Sequence, residues 1–294
     1  MRVAIFGQYF KGANAPYIQV LLDALKSEGI GYIFFKQFYD LIPEELQEQV
    51  DGECWETHND LRESGVDFLL SLGGDGTILT AVTYVRDSGV PVLGINLGRL
   101  GFLAIVEKKI IKDAIQLLTK GMYAIEARSM LYLESNSPLF GEVPYALNDF
   151  ALHKRDTSSM MIIHAYINGD FLNSYWADGI IVATPTGSTG YSLSCGGPII
   201  FPYSGNLVIT PVAPHNLNVR PIVISDNSII SFEIEGRSQN FLCTLDSRLE
   251  TVNPQHQLAV RKCDFDIHLV QLHNFTFLKT IHEKLSWGID QRNE

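Results

Sequence analysis

The run Ser71-Leu72-Gly73-Gly74-Asp75-Gly76-Thr77 places one carboxylate among three glycines. It follows Val66-Asp67-Phe68-Leu69-Leu70, an apolar strand-like run, and precedes Ile78-Leu79-Thr80-Ala81-Val82, which reads as the start of a helix. Glycine has no Cβ, so backbone amides in such a turn can come close to phosphate oxygens. The helix N-terminus adds unpaired N–H donors and partial positive charge. A carboxylate does not suit a loop that only cradles anions. It suits one that takes a proton, or helps hold a metal, beside those phosphates. The plainer alternative is that Asp75 caps the helix.

A second stretch with chemical content is Asp178-Gly179-Ile180-Ile181-Val182-Ala183-Thr184-Pro185-Thr186-Gly187-Ser188-Thr189-Gly190-Tyr191-Ser192-Leu193-Ser194. A strand ends at Thr184-Pro185, and a turn dense in hydroxyls and glycines follows. Hydroxyls and free amides suit a polar ligand such as a dinucleotide, and Tyr191 adds a ring face and a phenol. Taken alone, such a turn is more often a Ser/Thr/Gly cap on a short helix. A third is Asn148-Asp149, whose amide and carboxylate offer complementary donors and acceptors for adenine and ribose edges, although for the dipeptide alone an Asx turn is the better reading. His215 beside Pro214 reads as a turn-fixing residue ahead of a ligand contact, and Arg99 as a solvated loop arginine or a phosphate contact.

These residues need a scaffold, and the first ~120 residues supply alternating strand and helix patterns. Val3–Phe6, Gly31–Phe35, Phe68–Leu72 and Val90–Ile95 read as strands. Ile18, Leu21, Leu22 and Leu25 recur at helical spacing, as do Ile110, Ile111, Ala114, Ile115 and Leu118. The aromatics Phe34, Phe35, Phe38 and Tyr39 read as core. Alternation of this kind predicts a parallel, Rossmann-like sheet covered on both faces, with ligands at the carboxyl ends of its strands. Both Gly73–Thr77 and Asn96–Gly101 fall at such ends. After Gly121 the texture becomes β-rich, with runs at Ala127–Glu134, Met160–Asn168, Gly179–Ala183, Leu207–Val212, Ser228–Glu235 and Phe265–Gln271. The expected organisation is an α/β nucleotide-binding domain over 1–121, an all-β domain of stacked sheets or a sandwich over 122–272, and a helix within 273–294 that packs back on the first domain. That helix would present Phe277, Leu278, Ile281 and Leu285.

Composition narrows the classes. The 294 residues are 46% hydrophobic and carry a formal net charge of -11. The absence of a basic face or basic block argues against a nucleic-acid binder. Cys54, Cys195, Cys243 and Cys263 are widely spaced, which fits free thiols in a reducing cytoplasm better than zinc or disulfides. Met1–Gly7 reads as a strand rather than a signal peptide. No run reaches the about 18 apolar residues of a membrane span.

Taken together, Gly73–Thr77, Asn96-Leu97-Gly98-Arg99-Leu100-Gly101-Phe102, Asn148-Asp149, Asp178–Ser194, Pro214-His215 through Arg220–Ile224 and Asp246-Ser247 resemble the NAD kinase family. The likeness runs from about residue 66 to 250, with Asp178–Pro198 the most specific stretch. The glycine loop alone is shared with diacylglycerol-type lipid kinases and phosphofructokinases. The resemblance implies transfer of the γ-phosphoryl group of ATP to the 2′-hydroxyl of the adenosine ribose of NAD, giving NADP. It implies an N-terminal α/β domain, a C-terminal β domain and a site between them. It also implies a divalent metal, normally Mg²⁺ carried with the triphosphate, and a homodimer or homotetramer with sites near the subunit interface.

Carried over motif by motif, Asp75 would be the general base, with Gly76 lining the same pocket. Gly73, Gly74 and Thr77 would face the triphosphate. Asn148 and Asp149 would contact the adenosine half of NAD and Asp178 the nicotinamide end. Thr189, Gly190, Tyr191, Ser192, Leu193 and Ser194 would wrap the dinucleotide, with Tyr191 against the adenine and Phe102 nearby. The chain departs from the family's pattern at four places. Asp149 stands where Glu is usual, Gly190 where Ala is frequent, Trp176 where many bacterial members have Arg, and Arg248 where many relatives have Gln. Arg248 would bring positive charge to the pocket. Two other readings are a lipid or sugar kinase sharing the loop, and a non-catalytic dinucleotide-binding module. The first lacks an apolar or basic membrane-facing surface. The second gives no reason to keep Asp75 in an intact loop.

Overall fold

The computed structural model describes residues 1–50, 52–99, 101–155, 160–236, 238–273 and 275–287. Leu100 of the Asn96–Phe102 motif, and residues 274 and 288–294 of the expected 273–294 segment, lie outside the described residues. The chain divides into two units, Met1–Ala127 with Ile267–Glu294, and Arg128–Asp266.

The first unit is built on an eight-stranded, mostly parallel sheet. Its order is Cys54–Trp55, Gly31–Phe35, Arg2–Gly7, Phe68–Gly73, Val92–Asn96, Ile267–Leu272 and Tyr123–Arg128, with Val106–Glu107 paired to Val92–Asn96. Val3–Phe6, Phe34, Phe35, Leu69, Leu70, Leu93 and Ile95 are all buried, the continuous apolar texture of strands covered on both faces. The helix Ala15–Ser27 buries Ile18, Leu21, Leu22 and Leu25, and the helix Ile111–Thr119 buries Ile111, Ala114, Ile115 and Leu118. Phe35 gathers an aromatic cluster, with Phe6, Trp55 and Tyr84 ring centroids at 4.8, 4.9 and 4.9 Å. Phe34 and Phe38 are fully buried, as core residues should be.

Two strands differ from the sequence reading. The β-rich run Ala127–Glu134 is not one strand. It breaks at Ser129-Met130, so that Tyr123–Arg128 belongs to the parallel sheet and Leu131–Ser135 to a sheet of the second unit. The strand Ile267–Leu272 lies in the parallel sheet rather than among the strands of the β unit. Ile267, Leu269, Val270 and Leu272 are buried, a two-faced burial that an internal strand needs and an alternating sandwich strand does not. The helix Phe277–Leu285 buries Thr280 and Ile281 but leaves Leu278 52% exposed, so its apolar stripe is narrower than the spacing suggested.

The second unit stacks two six-stranded antiparallel sheets. One runs Ile222–Ser225, Asn206–Val212, Gly179–Ala183, Asp149–Lys154, Phe241–Leu245 and Arg248–Val252. The other runs Asp170–Ala177, Met161–Ile167, Ile230–Gly236, Leu258–Lys262, Leu131–Ser135 and Tyr145–Ala146. One core joins residues of both, including Phe150, Leu152, Ile180, Val182, Ile163, Phe232 and Val260. Phe150 stacks on Phe232 at 5.5 Å. The strand Gly179–Ala183 is buried on its other face too, where Ile181 and Ala183 pack with Ala151, Ile200 and Val208. No helix among the described residues is long and apolar enough to cross a membrane.

Candidate active site

The glycine loop forms where two neighbouring parallel strands end together. Gly73 is the register partner of Asn96, so the loops that follow them leave the sheet side by side. The helix begins at Asp75, three residues earlier than its apolar residues indicate, with Gly74 as its N-cap and the N–H of Thr77 donating to the Gly74 carbonyl at 3.0 Å. Gly74 and Gly76 are exposed, and nothing stands near the Cβ position of either, so this side of the loop is open. Thr77 is buried. Asn96 staples the neighbouring loop. Its Oδ1 accepts the Gly98 N–H at 2.7 Å and its Nδ2 donates to the Arg99 carbonyl at 2.6 Å.

The Asp75 side chain makes no cap on its own helix and reaches instead to the neighbouring loop. Its Oδ2 accepts the N–H of Phe102 at 2.7 Å, and its Oδ1 accepts those of Leu103 and Ala104 at 3.1 and 3.0 Å. A carboxylate offers about four acceptor positions, so one remains, on Oδ2. The side chain is thus both anchored by three amides and able to accept one further proton donor. Gly101 makes that approach possible, because a Cβ there would overlap the Asp75 carboxylate. Gly101→Ala should push the carboxylate off these amides. Charge-assisted hydrogen bonds contribute about 1.5–3 kcal/mol each, so amide exchange at Phe102, Leu103 and Ala104 should accelerate by at least about tenfold, as read by hydrogen exchange.

In the β unit the central strand Asp149–Lys154 brings two turns together. Asp149 pairs with Ala183 on one side, and Phe150 pairs with Leu245 on the other. Asn148 and Asp149 therefore sit between the turn after Ala183 and the turn after Leu245. Most hydroxyls of the first turn are used internally. Thr184 Oγ1 donates to the Leu147 carbonyl at 2.6 Å and accepts the Gly187 N–H at 3.1 Å. Ser188 Oγ donates to the Pro185 carbonyl at 2.7 Å and accepts the Ile200 N–H at 2.9 Å. Ser192 Oγ pairs with Thr210 Oγ1 at 2.8 Å, and Thr189 Oγ1 donates to the Thr186 carbonyl at 3.2 Å. The hydroxyl-rich sequence thus builds a rigid turn, and what faces outward is Tyr191, 41% exposed, with Ser194.

The groups with unmet capacity are Asn148 and Asp149. Asn148 Oδ1 is buried without a hydrogen-bond partner. Asp149 is 7% exposed, and its carboxyl makes no hydrogen bond or ion pair among the described residues. Burial first, and the Asp246 charge second, push its pKa up to about 7. Tyr191 leans on the His153 ring at 5.4 Å, and burial pushes the Tyr191 phenol up and the His153 imidazole down. Asp178 is held by Lys154 at 2.6 Å. Arg248 donates to the carbonyls of Val143 and Tyr145 and lies over the Phe140 ring, so its charge is committed to that loop. Sequence reasoning passed over Gly101, Gly187, Thr184 and the role of Asp246. A cavity of about 450 Å³ in this unit, lined by Glu134, Tyr166, Glu233 and Gln257 among others, holds none of the expected residues.

An anchored carboxylate at an open glycine-rich helix N-terminus suits transfer of a phosphoryl group from a nucleotide to a hydroxyl. Comparison with known proteins narrows that class. Residues 34–123 match the ATP-NAD kinase N-terminal domain and residues 147–272 the ATP-NAD kinase C-terminal domain. The chain is 48% identical to an NAD kinase of Cytophaga hutchinsonii over 294 residues, covering 100% of both chains. It is 44% identical to an NAD kinase of Flavobacterium psychrophilum over 295 residues, again 100% of both. Its fold superposes on yeast NADH kinase complexed with NADH with a TM-score of 0.87 at 25% identity, over 100% of this chain and 89% of that one. An NAD kinase from Archaeoglobus fulgidus in complex with ATP shares the fold, with a TM-score of 0.73 at 24% identity over 97% and 99% of the two chains. The chain belongs to the NAD kinase family.

Proposed function

We infer that this enzyme phosphorylates NAD to NADP with ATP as donor, at the 2′-hydroxyl of the adenosine ribose. The observation that carries the chemistry is Asp75, anchored by three amides with one acceptor position left on Oδ2. In this reading that oxygen takes the proton of the ribose hydroxyl. The hydroxyl oxygen bonds to the γ-phosphorus, the bond from phosphorus to the β,γ-bridging oxygen breaks, and ADP leaves. General-base assistance contributes about 10²- to 10⁴-fold. Gly73, Gly74 and Thr77, with the helix N-terminus, stabilise charge on the triphosphate. Gly76 lines the acceptor side.

The β unit, as the NAD-binding domain, holds the dinucleotide. Asn148 and Asp149 read the adenosine half, Asp178 the nicotinamide end, and Thr189, Gly190, Tyr191, Leu193 and Ser194 form the wall, with Ser192 bonded to Thr210 behind it and Phe102 on the adenine side. Arg248 acts indirectly, by holding the Val143–Tyr145 loop. The described residues include no group of three or more His, Cys, Asp or Glu side chains suited to a metal ion, and the loop offers the single carboxylate of Asp75. That donor set fits a Mg²⁺ that arrives on ATP and takes phosphate and water ligands. When bound, the metal neutralises charge on the phosphates. The enzyme works as a homodimer or homotetramer in the cytoplasm. The four free cysteines support the compartment. The exposed Phe171 and Trp176 on the edge strand Asp170–Ala177 support assembly.

The deciding assay mixes the purified protein with NAD, ATP and Mg²⁺ and detects NADP with an NADP-specific dehydrogenase. No NADP across metals and donors would overturn the activity. A Cβ at Gly187 would overlap the Asn148 carbonyl. Gly187→Ala should therefore raise KM for NAD by about tenfold or more while leaving KM for ATP within about twofold, since one displaced binding group contributes on the order of 1–3 kcal/mol.

A further inference from the structure

The turn after the strand Phe241–Leu245 carries a carboxylate that the mechanism above does not use. Asp246 sits at φ 54°, a left-handed conformation that non-glycine residues rarely adopt. Its Oδ1 accepts the N–H groups of Asn148 and Asp149 at 2.8 and 3.1 Å, and its Oδ2 accepts that of Leu147 at 3.0 Å. Its own N–H donates to the Asp149 carbonyl at 2.9 Å. One residue thus fixes three consecutive backbone units, and the last two bear the unpartnered Asn148 Oδ1 and the unpartnered Asp149 carboxyl. We propose that Asp246 is a positioning residue of the acceptor site, touching no substrate and acting through Asn148 and Asp149. The proposal rests on the reading of those two residues as NAD contacts.

Only a carboxylate suits this place. Three N–H donors converge on two oxygens, and an amide would turn an NH₂ toward at least one of them. The arrangement sets two carboxyls near each other. Burial pushes both upward, but Asp246 is opposed by its three N–H donors and by the Arg248 charge. Asp246 is therefore the ionised member, and Asp149 holds the proton as pH falls toward neutrality. The ionisable groups that face Asp149 are Asp246 from the turn, Tyr191 from the helix Tyr191–Ser194 and Cys195 at that helix's C-cap. Asp246 thereby governs both where the dipeptide sits and which protonation state it offers.

The test compares Asp246→Asn with the parent enzyme. The variant keeps the shape and removes the charge. KM for NAD should rise at least tenfold with KM for ATP unchanged, and the pH at which NAD affinity changes should move down. A folded variant, judged by circular dichroism and melting, with parental KM for NAD and an unmoved pH profile would overturn the proposal. A readout on the unmodified enzyme covers the case in which the variant does not fold. Addition of NAD should slow amide exchange at residues 147–149, and unchanged exchange there would overturn the proposal as well. Asn148→Ala and Asp149→Ala test the underlying reading separately. Parental NAD affinity in both would remove these residues from NAD binding, whatever Asp246→Asn does.

Discussion

Asp75→Asn should lower the rate of NADP formation by at least about 10²-fold, the lower end of what general-base catalysis contributes. The structure adds a complication and its remedy. Asn at this position can keep Oδ1 on Leu103 and Ala104, but its NH₂ then faces the N–H of Phe102, which now donates to Oδ2. Part of the loss would therefore come from a displaced loop. Two measurements separate the contributions. Amide exchange at Phe102–Ala104 reports the loop. Direct NAD binding, which needs no proton transfer, should stay within a few-fold of the parent. If turnover falls while both remain near parental values, the carboxylate acts in the chemical step. Parental turnover would remove Asp75 from the base role.

Asp149→Asn should stabilise the protein at alkaline pH while weakening NAD binding. Asp149 is raised from 3.8 to about 7 by burial and by Asp246. The sign follows from proton counting. Between about pH 4 and pH 7 the native state binds the proton more tightly than the unfolded state, so this carboxyl favours folding at the acid end. The contribution is lost as pH rises through the native value, and above it the ionised group opposes folding. Each pH unit of displacement corresponds to about 1.4 kcal/mol, which sets a ceiling near 4 kcal/mol. Sharing of charge with Asp246 lowers the realistic figure to about 2 kcal/mol. Urea unfolding should show the stability of Asp149→Asn gaining by about that amount over the parent between pH 5 and pH 8. Parallel curves would mean that Asp149 titrates in the fold where an ordinary carboxylate does. A buried group that weakens the fold and makes no internal bond is the usual signature of a residue kept for binding.

The contrast between Asp75 and Asp246 shows what the sequence made readable. The position of Asp75 depended on its own glycines and the apolar runs beside it, all within a dozen residues, so the strand, turn and helix could be read locally. Its anchoring amides lie 27–29 residues downstream, brought close because Gly73 and Asn96 are register partners. Asp246 lies 97–99 residues from the amides it binds, and nothing near it announces that partnership. The hydroxyls between Thr184 and Ser192 do not announce which of them turn inward. Ser188 and Ser192 bond to Ile200 and Thr210 and make the turn rigid. A boundary failed at Ala127–Glu134, where only the polar pair Arg128-Ser129 marks the point at which the chain passes from one sheet to another.

The place of Ile267–Leu272 within the parallel sheet also has a consequence for synthesis. Val92–Asn96 has this strand as a neighbour in the sheet, yet the strand follows the whole of Arg128–Asp266 in the chain. As the polypeptide emerges from the ribosome, the first unit must wait with an open hydrogen-bonding edge while all of the β unit is made. The β unit is the first to have all its residues outside the exit tunnel, although it lies second in the chain. The nascent chain is therefore most prone to misassembly late in translation, when an unpaired strand edge is exposed to neighbouring chains.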